Sequence, residues 1–352
     1  MKVVYFTKYS RNGASSRLRS YQFVPLLEKE GIDVTIFPFF DEDYLHSLYA
    51  KKSISKIKLL GFYWNRFIKL FSIYKFDKII IEKELFPYFF SWFEKLLWLF
   101  NVKYIVDYDD AIFHNYDLSK NKLVKFLLKN KIYNVMKYSN HVLAGNEYLA
   151  QKAKNSSAKK IIIHPTVIDV DAYKVKDNYT TSKVVIGWIG SPTTYKYIKN
   201  LESVFIKLSN LYTIEFHIIG AKNNEVKLDN VKFIDWSEEN EVALISKFDI
   251  GIMPLENTPW ELGKCSYKLI QYMGCGIPVV ASSVGMNKEV IEEGKNGFLV
   301  SDEQQWIEKL SVLIENEVLR ENLGKQGRLK VEDLFSNKKT VQKLLSILRD
   351  EY

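Results

Sequence analysis

The sequence predicts an α/β protein made of two Rossmann-like halves with parallel sheets facing across a cleft. Three observations lead there. At 352 residues the chain is too long for one ordinary core, which makes two domains the natural division. Short β-branched and aromatic runs alternate with amphipathic stretches of helical period, the pattern of parallel strands with crossover helices. Between the halves, residues 167–182 are polar and aperiodic and read as a linker.

Strands are expected in the first half at 3–7, 34–37, 78–82, 104–107, 141–144 and 161–164. In the second half they are expected at 184–188, 215–219, 232–234, 250–254, 278–281 and 298–300. A helix is expected over 195–208 and a terminal amphipathic one over 338–348. The domain division is 1–170, 171–335 and a terminal helical segment 336–352. Ligands of such sheets gather at the carboxyl ends of the strands.

Composition narrows the function classes. A hydrophobic fraction of 47% with 26% charged residues excludes a disordered chain. The two cysteines, Cys265 and Cys275, make neither a metal-ligand spacing nor a disulfide framework, which suits a reducing cytosol. The amino terminus enters a strand at once, so no cleavable signal is expected. The most apolar stretch, 86–100, is interrupted by Glu94 and Lys95 and is too short to span a bilayer.

Charge is divided unevenly. Residues 1–176 hold 29 Lys and Arg against 17 acids, whereas residues 177–352 hold 21 against 25. No acid occurs over 44–76, where Lys51, Lys52, Lys56, Lys58, Arg66, Lys69 and Lys75 accompany Ile57, Leu60, Trp64, Phe67 and Phe71 at helical spacing. A second acid-free run, 118–146, carries Lys120, Lys122, Lys125, Lys129, Lys131 and Lys137 beside Leu123, Phe126 and Leu127. Basic amphipathic helices suit an anionic membrane surface, with the apolar faces packed on the sheet and the lysines turned to headgroups. No nucleic-acid signature accompanies the charge, so nucleic acid is not an expected partner.

The most informative stretch runs from Trp260 to Ser282. It reads as a glycine-bearing loop, one amphipathic helix, a Gly-x-Pro turn and a short strand. Loop-to-helix junctions present backbone N–H groups and the positive helix end to a phosphate. Lys264 and Lys268, four residues apart, add charge on one face, and the Gln271 amide follows one turn later. An ordinary α/β helix with solvated lysines fits the same pattern. The segment Gln271-Tyr272-Met273-Gly274-Cys275-Gly276, followed by Pro278 to Ser282, resembles the donor-nucleotide motif of the family 4 glycosyltransferases, retaining enzymes of the GT-B fold. The family places one Glu eight residues before a second. Here the second is Gln271, the first is Gly263, and the nearest carboxylate is Glu261.

That resemblance implies roles. Gly263, Lys264, Cys265 and Ser266 would cradle the diphosphate with Lys268, Gln271 would hold the ribose, and Glu261 is the candidate for the sugar-facing carboxylate. At the start of the second half, Gly190 lets backbone approach a ligand, and Ser191 and Thr193 offer hydroxyls to phosphate, or serve only as helix caps. Lys196 or Lys199 would match a family lysine. Gly220 stands where the family's base often sits. After the first strand comes a loop that in the family faces donor and acceptor. Gly13 permits a tight turn there and is a donor-binding candidate, Ser15 or Ser16 caps the next helix, and Arg17 and Arg19 are acceptor-side candidates that would meet an anion or form ordinary salt bridges. After the fourth strand, Asp107-Tyr108-Asp109-Asp110-Ala111-Ile112 resembles an acidic loop of one family branch. Asp109 and Asp110 are acceptor-side candidates, and His114 is a candidate for contact with the transferred sugar or a structural histidine. Family members of this fold meet diphosphate charge with lysines and helix dipoles, so no metal and no cofactor is expected.

The expected function is retaining transfer of a sugar from a nucleotide-sugar donor to a saccharide or lipid-linked acceptor, in surface polysaccharide or glycoconjugate synthesis. The expected location is cytoplasmic, peripheral on the inner face of the membrane. A nucleotide-sugar 2-epimerase and a non-catalytic scaffold share the architecture and remain the alternatives. The resemblance further implies that the terminal helix crosses back onto the first domain.

Overall fold

The computed structural model describes residues 1–50, 52–221 and 228–351, with Tyr49 described by its backbone alone; Lys51 of the basic run lies outside them. The chain divides into two compact units. The first comprises Met1–Thr166, Leu262–Cys265 and the residues from Thr340 on; the second comprises Val167–Glu261 and Ser266–Lys339. The division therefore falls after Thr166 rather than at 170, and the short Leu262–Cys265 loop groups with the first unit.

The first unit is built on β1 (Lys2–Tyr9), β2 (Asp33–Phe40), β3 (Lys78–Glu82), β4 (Ile105–Tyr108), β5 (His141–Ala144) and β6 (Ile161–Ile163). They form one parallel sheet in the order β2-β1-β3-β4-β5-β6. The second unit has β7 (Val184–Ile189), β8 (Ile214–Ile219), β9 (Val231–Ile234), β10 (Ile250–Met253), β11 (Val279–Ser282) and β12 (Gly297–Val300). Their order is β12-β11-β10-β7-β8-β9, again parallel throughout. Every expected strand is present. The largest boundary difference is in β2, which runs through Pro38 to Phe40. Because β2 is an edge strand, the missing Pro38 N–H can face away from the ladder to β1.

Apolar strand interiors explain the packing. Val3, Val4, Phe6, Ile81 and Val106 are buried in the first sheet, and Trp188, Phe205, Phe216 and Leu310 in the core of the second unit. Phe205 and Phe216 stack with ring centroids 4.0 Å apart. The expected 195–208 helix is two helices, Lys196–Lys199 and Glu202–Leu211. The chain turns between them, with Leu201 buried in the core and Asn200 Nδ2 donating to Glu256 Oε1.

The stretch read as a linker belongs to the second unit. Tyr173 and Tyr179 are buried, Tyr179 Oη donates to Gly276 O over 2.6 Å, and Arg328 donates to the Tyr173 and Val170 carbonyls. Two aromatic anchors outweigh its polar composition. The terminal helix, Asn337–Leu348, begins one residue early, and from Thr340 on it counts with the first unit.

Helix faces in the first unit depart from expectation. Ile57, Leu60, Trp64 and Phe71 are exposed, as are Leu123, Phe126 and Leu127. Two members of the basic runs are buried instead. Arg66 donates to the Thr7 and Phe37 carbonyls, and Lys131 pairs with Glu84. No helix among the described residues is long and apolar enough to cross a membrane.

Candidate functional site

In an open parallel sheet, the crevice that takes ligands opens where strand order reverses. In the first unit β2 and β3 flank β1, so the reversal lies between the carboxyl ends of β1 and β3. There Glu82 ends β3, almost wholly buried, and accepts from Ser16 Oγ (2.6 Å) and the Lys8 N–H (3.0 Å). Lys83 follows with φ 68°, a left-handed conformation costly for any residue but glycine. Its buried ammonium lies 2.8 Å from Asp109 Oδ1, 3.9 Å from Glu82 Oε1 and 3.9 Å from Asp110 Oδ2, and donates to Ser15 Oγ over 2.8 Å. Ser15 Oγ also lies 2.5 Å from Asp109 Oδ2.

One lysine thus serves three carboxylates. Burial disfavours its charge, but Asp109, Asp110 and Glu82 together hold the Lys83 ammonium well above the usual lysine range. Burial would raise the Asp109 carboxyl, yet Lys83 and Arg19 bring it down to about 2. Glu82 and Asp110 are both raised, chiefly by burial, Lys83 opposing at Glu82 and Lys264 at Asp110. The sequence reading missed Glu82 and Lys83. Glu-Lys-Glu directly after Ile79-Ile80-Ile81 was the available signal, but its meaning depends on β3 lying beside β1.

The Leu262–Cys265 loop closes on this region. Asn146 Nδ2 donates to the Leu262 and Lys264 carbonyls, Cys265 Sγ donates to Asp109 O, and Lys264 Nζ lies 3.9 Å from Asp110 Oδ1. A Cβ on residue 263 would fall 2.4 Å from Ala111 Cβ and 2.6 Å from Ala111 N. This contact explains glycine where the resembling family carries its first Glu. Gly263→Glu is expected to lower stability by about 1–3 kcal/mol through overpacking; an unchanged denaturation midpoint would show that the loop gives way.

In the second unit the reversal lies between β7 and β10. The Gly190 backbone ends β7, where a Cβ would meet the Trp188 ring at 2.3 Å. Gly220, with φ 81°, ends β8 so close that its own Cβ would lie 2.5 Å from Gly190 O. Ser191 Oγ and Thr193 Oγ1 are 2.8 Å apart at this edge. The Tyr267–Gly274 helix is pinned to the same place, because Tyr272 Oη accepts from the Ile189 N–H at 3.0 Å. Lys268 Nζ then lies 5.8 Å from the Trp188 ring centroid.

Several expected residues are occupied otherwise. Arg17 is buried, and Arg19 forms a bidentate pair with Asp107 (2.8 and 2.5 Å) and donates to His164 O, so its fork is spent on structure. The first helix is capped by Gly13, since Ser15 and Ser16 turn to carboxylates instead. Both ring nitrogens of buried His114 are engaged, Nδ1 with Asp117 (2.7 Å) and Nε2 with Tyr148 Oη (2.8 Å), which leaves neither for a sugar. Glu261 is buried and accepts from the Tyr197 and Thr258 hydroxyls; burial raises its carboxyl, but those bonds bring it below the usual range. Ser266 Oγ donates to Asn287 Oδ1 (2.7 Å), and burial drives the Cys265 thiol far up, making it unreactive.

Gln271 is the most instructive case. Its amide is buried and donates to Tyr173 Oη (3.0 Å) and Glu241 Oε1 (2.6 Å), rather than standing open for a ribose. Trp236 Nε1 holds the other Glu241 oxygen at 2.7 Å. A carboxylate at 271 would face Glu241, which gives a physical reason for the amide. Gln271→Glu is therefore expected to lower stability by about 1–3 kcal/mol. Glu241→Gln in the same chain should restore it. Denaturation of the single and double variants measures the coupling, and additive losses would refute the pairing.

Residues 183–316 match the family model for glycosyl transferases group 1. Spore coat protein SA of Bacillus subtilis is 31% identical over 144 residues, 39% of this chain and 36% of that protein. The capsular polysaccharide biosynthesis glycosyltransferase CapM of Staphylococcus aureus is 27% identical over 179 residues, 48% of this chain and 47% of CapM. The matches thus span about a third to a half of these relatives' length. Over nearly whole chains, sucrose-phosphate synthase of Thermosynechococcus elongatus superimposes with TM-score 0.75 at 13% identity, covering 99% of this chain and 98% of that one. Anabaena HepE, in complex with UDP, does so with TM-score 0.70 at 14%, covering 99% and 100%. The chain has the GT-B fold of two Rossmann-like units, and its residues 183–316, which carry β7 to β12, are similar to the glycosyl transferases group 1 family.

Proposed function

We propose that the protein is a retaining glycosyltransferase that moves a sugar from a nucleotide-sugar to a saccharide or lipid-linked acceptor in surface polysaccharide or glycoconjugate synthesis. The observation that carries this reading is the carboxyl edge of the second sheet. There Tyr272 pins the Tyr267–Gly274 helix to the end of β7, beside the Gly190 loop, with Lys268 over Trp188. A close backbone turn, a hydroxyl pair and a lysine at one strand end suit a nucleoside diphosphate. The names of CapM and of HepE with UDP support the same class of chemistry.

In this mechanism the leaving diphosphate is neutralised by Lys268, by Lys264 in the loop entering the helix, and by Ser191 and Thr193. Positioning and electrostatics carry the step, with no covalent nucleophile and no metal. The Asp109–Asp110–Lys83 cluster orients the acceptor hydroxyl. A lipid-linked acceptor and the basic first unit support a location at the inner face of the cytoplasmic membrane. The test is release of nucleoside diphosphate from candidate nucleotide-sugars with and without acceptor. Acceptor-dependent release is expected. Sugar interconversion without acceptor would identify an epimerase, and inactivity with every donor that binds would identify a scaffold.

A further inference from the structure

We propose that the first unit inserts an aromatic groove into the hydrocarbon edge of an anionic bilayer, rather than adsorbing through lysines alone. The inference deepens the membrane partner of the preceding reading and rests on it. The Lys56–Leu70 helix packs Phe62 and Tyr63 against Phe39, as an amphipathic helix does, yet it presents a second apolar face outward. Arg66 faces inward at 2% exposure, its guanidinium 5.0 Å from the Phe6 ring centroid and 5.3 Å from that of Phe39. Ile57, Leu60 and Trp64 on this helix, and Phe71 at its end, face out at 84, 69, 64 and 69% exposure. Across from them the Trp92–Leu99 helix exposes Trp92, Leu96 and Leu99. Phe67 and Phe93 meet between the two helices at 5.9 Å, and the groove there, about 480 Å³, is lined only by apolar and aromatic side chains such as Leu60, Tyr63 and Phe89.

Charge selects the occupant. Residues 44–76 contain no acid, and the one acid of the second helix, Glu94, is buried and accepts from the Leu85 N–H. Lys56, Lys75 and Lys95 are exposed nearby. A second copy of this face would bring lysines against lysines with no acid from either helix to pair them. Headgroup phosphates meet that rim, while acyl chains fill the groove and Trp64 and Trp92 lie at the boundary, where tryptophan is enriched.

The test uses the full chain and vesicles of equimolar phosphatidylcholine and phosphatidylglycerol, without donor or acceptor. Insertion predicts retention at about 1 M salt, where screening reaches about 3 Å, and quenching of tryptophan fluorescence by brominated acyl chains. Trp64→Ser with Phe71→Ser should keep the wild-type thermal midpoint but lose binding at high salt by about tenfold or more. Complete release at high salt, no quenching, or wild-type binding by the double variant would each overturn insertion. So would a stable lipid-free dimer that buries Trp64. Thermal shift with nucleoside diphosphates, run on the same protein, reports separately on the transferase reading.

Discussion

Lys264→Ala is expected to lower turnover by about two to three orders of magnitude, the usual effect of removing one preorganised charge from a developing anion. The side chain is mostly buried but makes only a long 3.9 Å approach to Asp110, so the protein does not depend on it for a tight ion pair. The thermal midpoint should stay close to wild type. A steady-state comparison at saturating donor separates the outcomes. A fall in kcat supports a role at the leaving group, whereas a rise in KM alone indicates uniform binding. Unchanged kinetics would mark Lys264 as a loop residue with no part in the reaction. The Lys264→Arg variant should recover part of the loss, since charge is restored with a different geometry.

Lys83→Met should be the most destabilising single change, at about 3–5 kcal/mol, because it leaves carboxylates buried without their cation. The pH dependence gives the sharper check. In the wild type the Asp109 carboxyl is held at about 2, below its value in the unfolded chain. Its contribution to stability is therefore complete above about pH 4 and disappears as pH falls towards 2. Without Lys83 only Arg19 and the Ser15 hydroxyl oppose burial, so that carboxyl rises and protonation on acidification relieves the variant. The stability gap between the two proteins should narrow from pH 7 to pH 4. A constant gap would show that Lys83 acts through packing alone.

Much of this protein was legible before its fold. Parallel strands read as short apolar runs, so even the four-residue β9, a half-exposed edge strand, and β12, largely buried, were located. The motif from Lys264 to Ser282 was legible for a related reason: a loop, helix and strand in sequence form one local unit. The extent of β2 was not, because tolerance of Pro38 depends on β2 being at the sheet edge. The roles of polar residues were read least well. Arg19, His114, Glu261, Ser266 and Gln271 have the right chemistry for a ligand, yet each spends it on a protein partner distant in sequence, on an adjacent turn, or on both.

The sequence by itself determined the two-unit α/β architecture, the strand positions and the family resemblance of the second half, since these follow from periodicity and local motif. Only the tertiary structure decided which charges are free to act. Gly263 proved to be a contact with Ala111, Gln271 the partner of Glu241, and Lys83 the hub of three acids. It also left Ile57, Leu60 and Trp64 of the Lys56–Leu70 helix facing outward. For the polar and charged residues the physical reason is the same. Burial makes an unpaired polar group costly, so a side chain's role is set by the partner that folding brings to it, and that partner is seldom a neighbour in sequence.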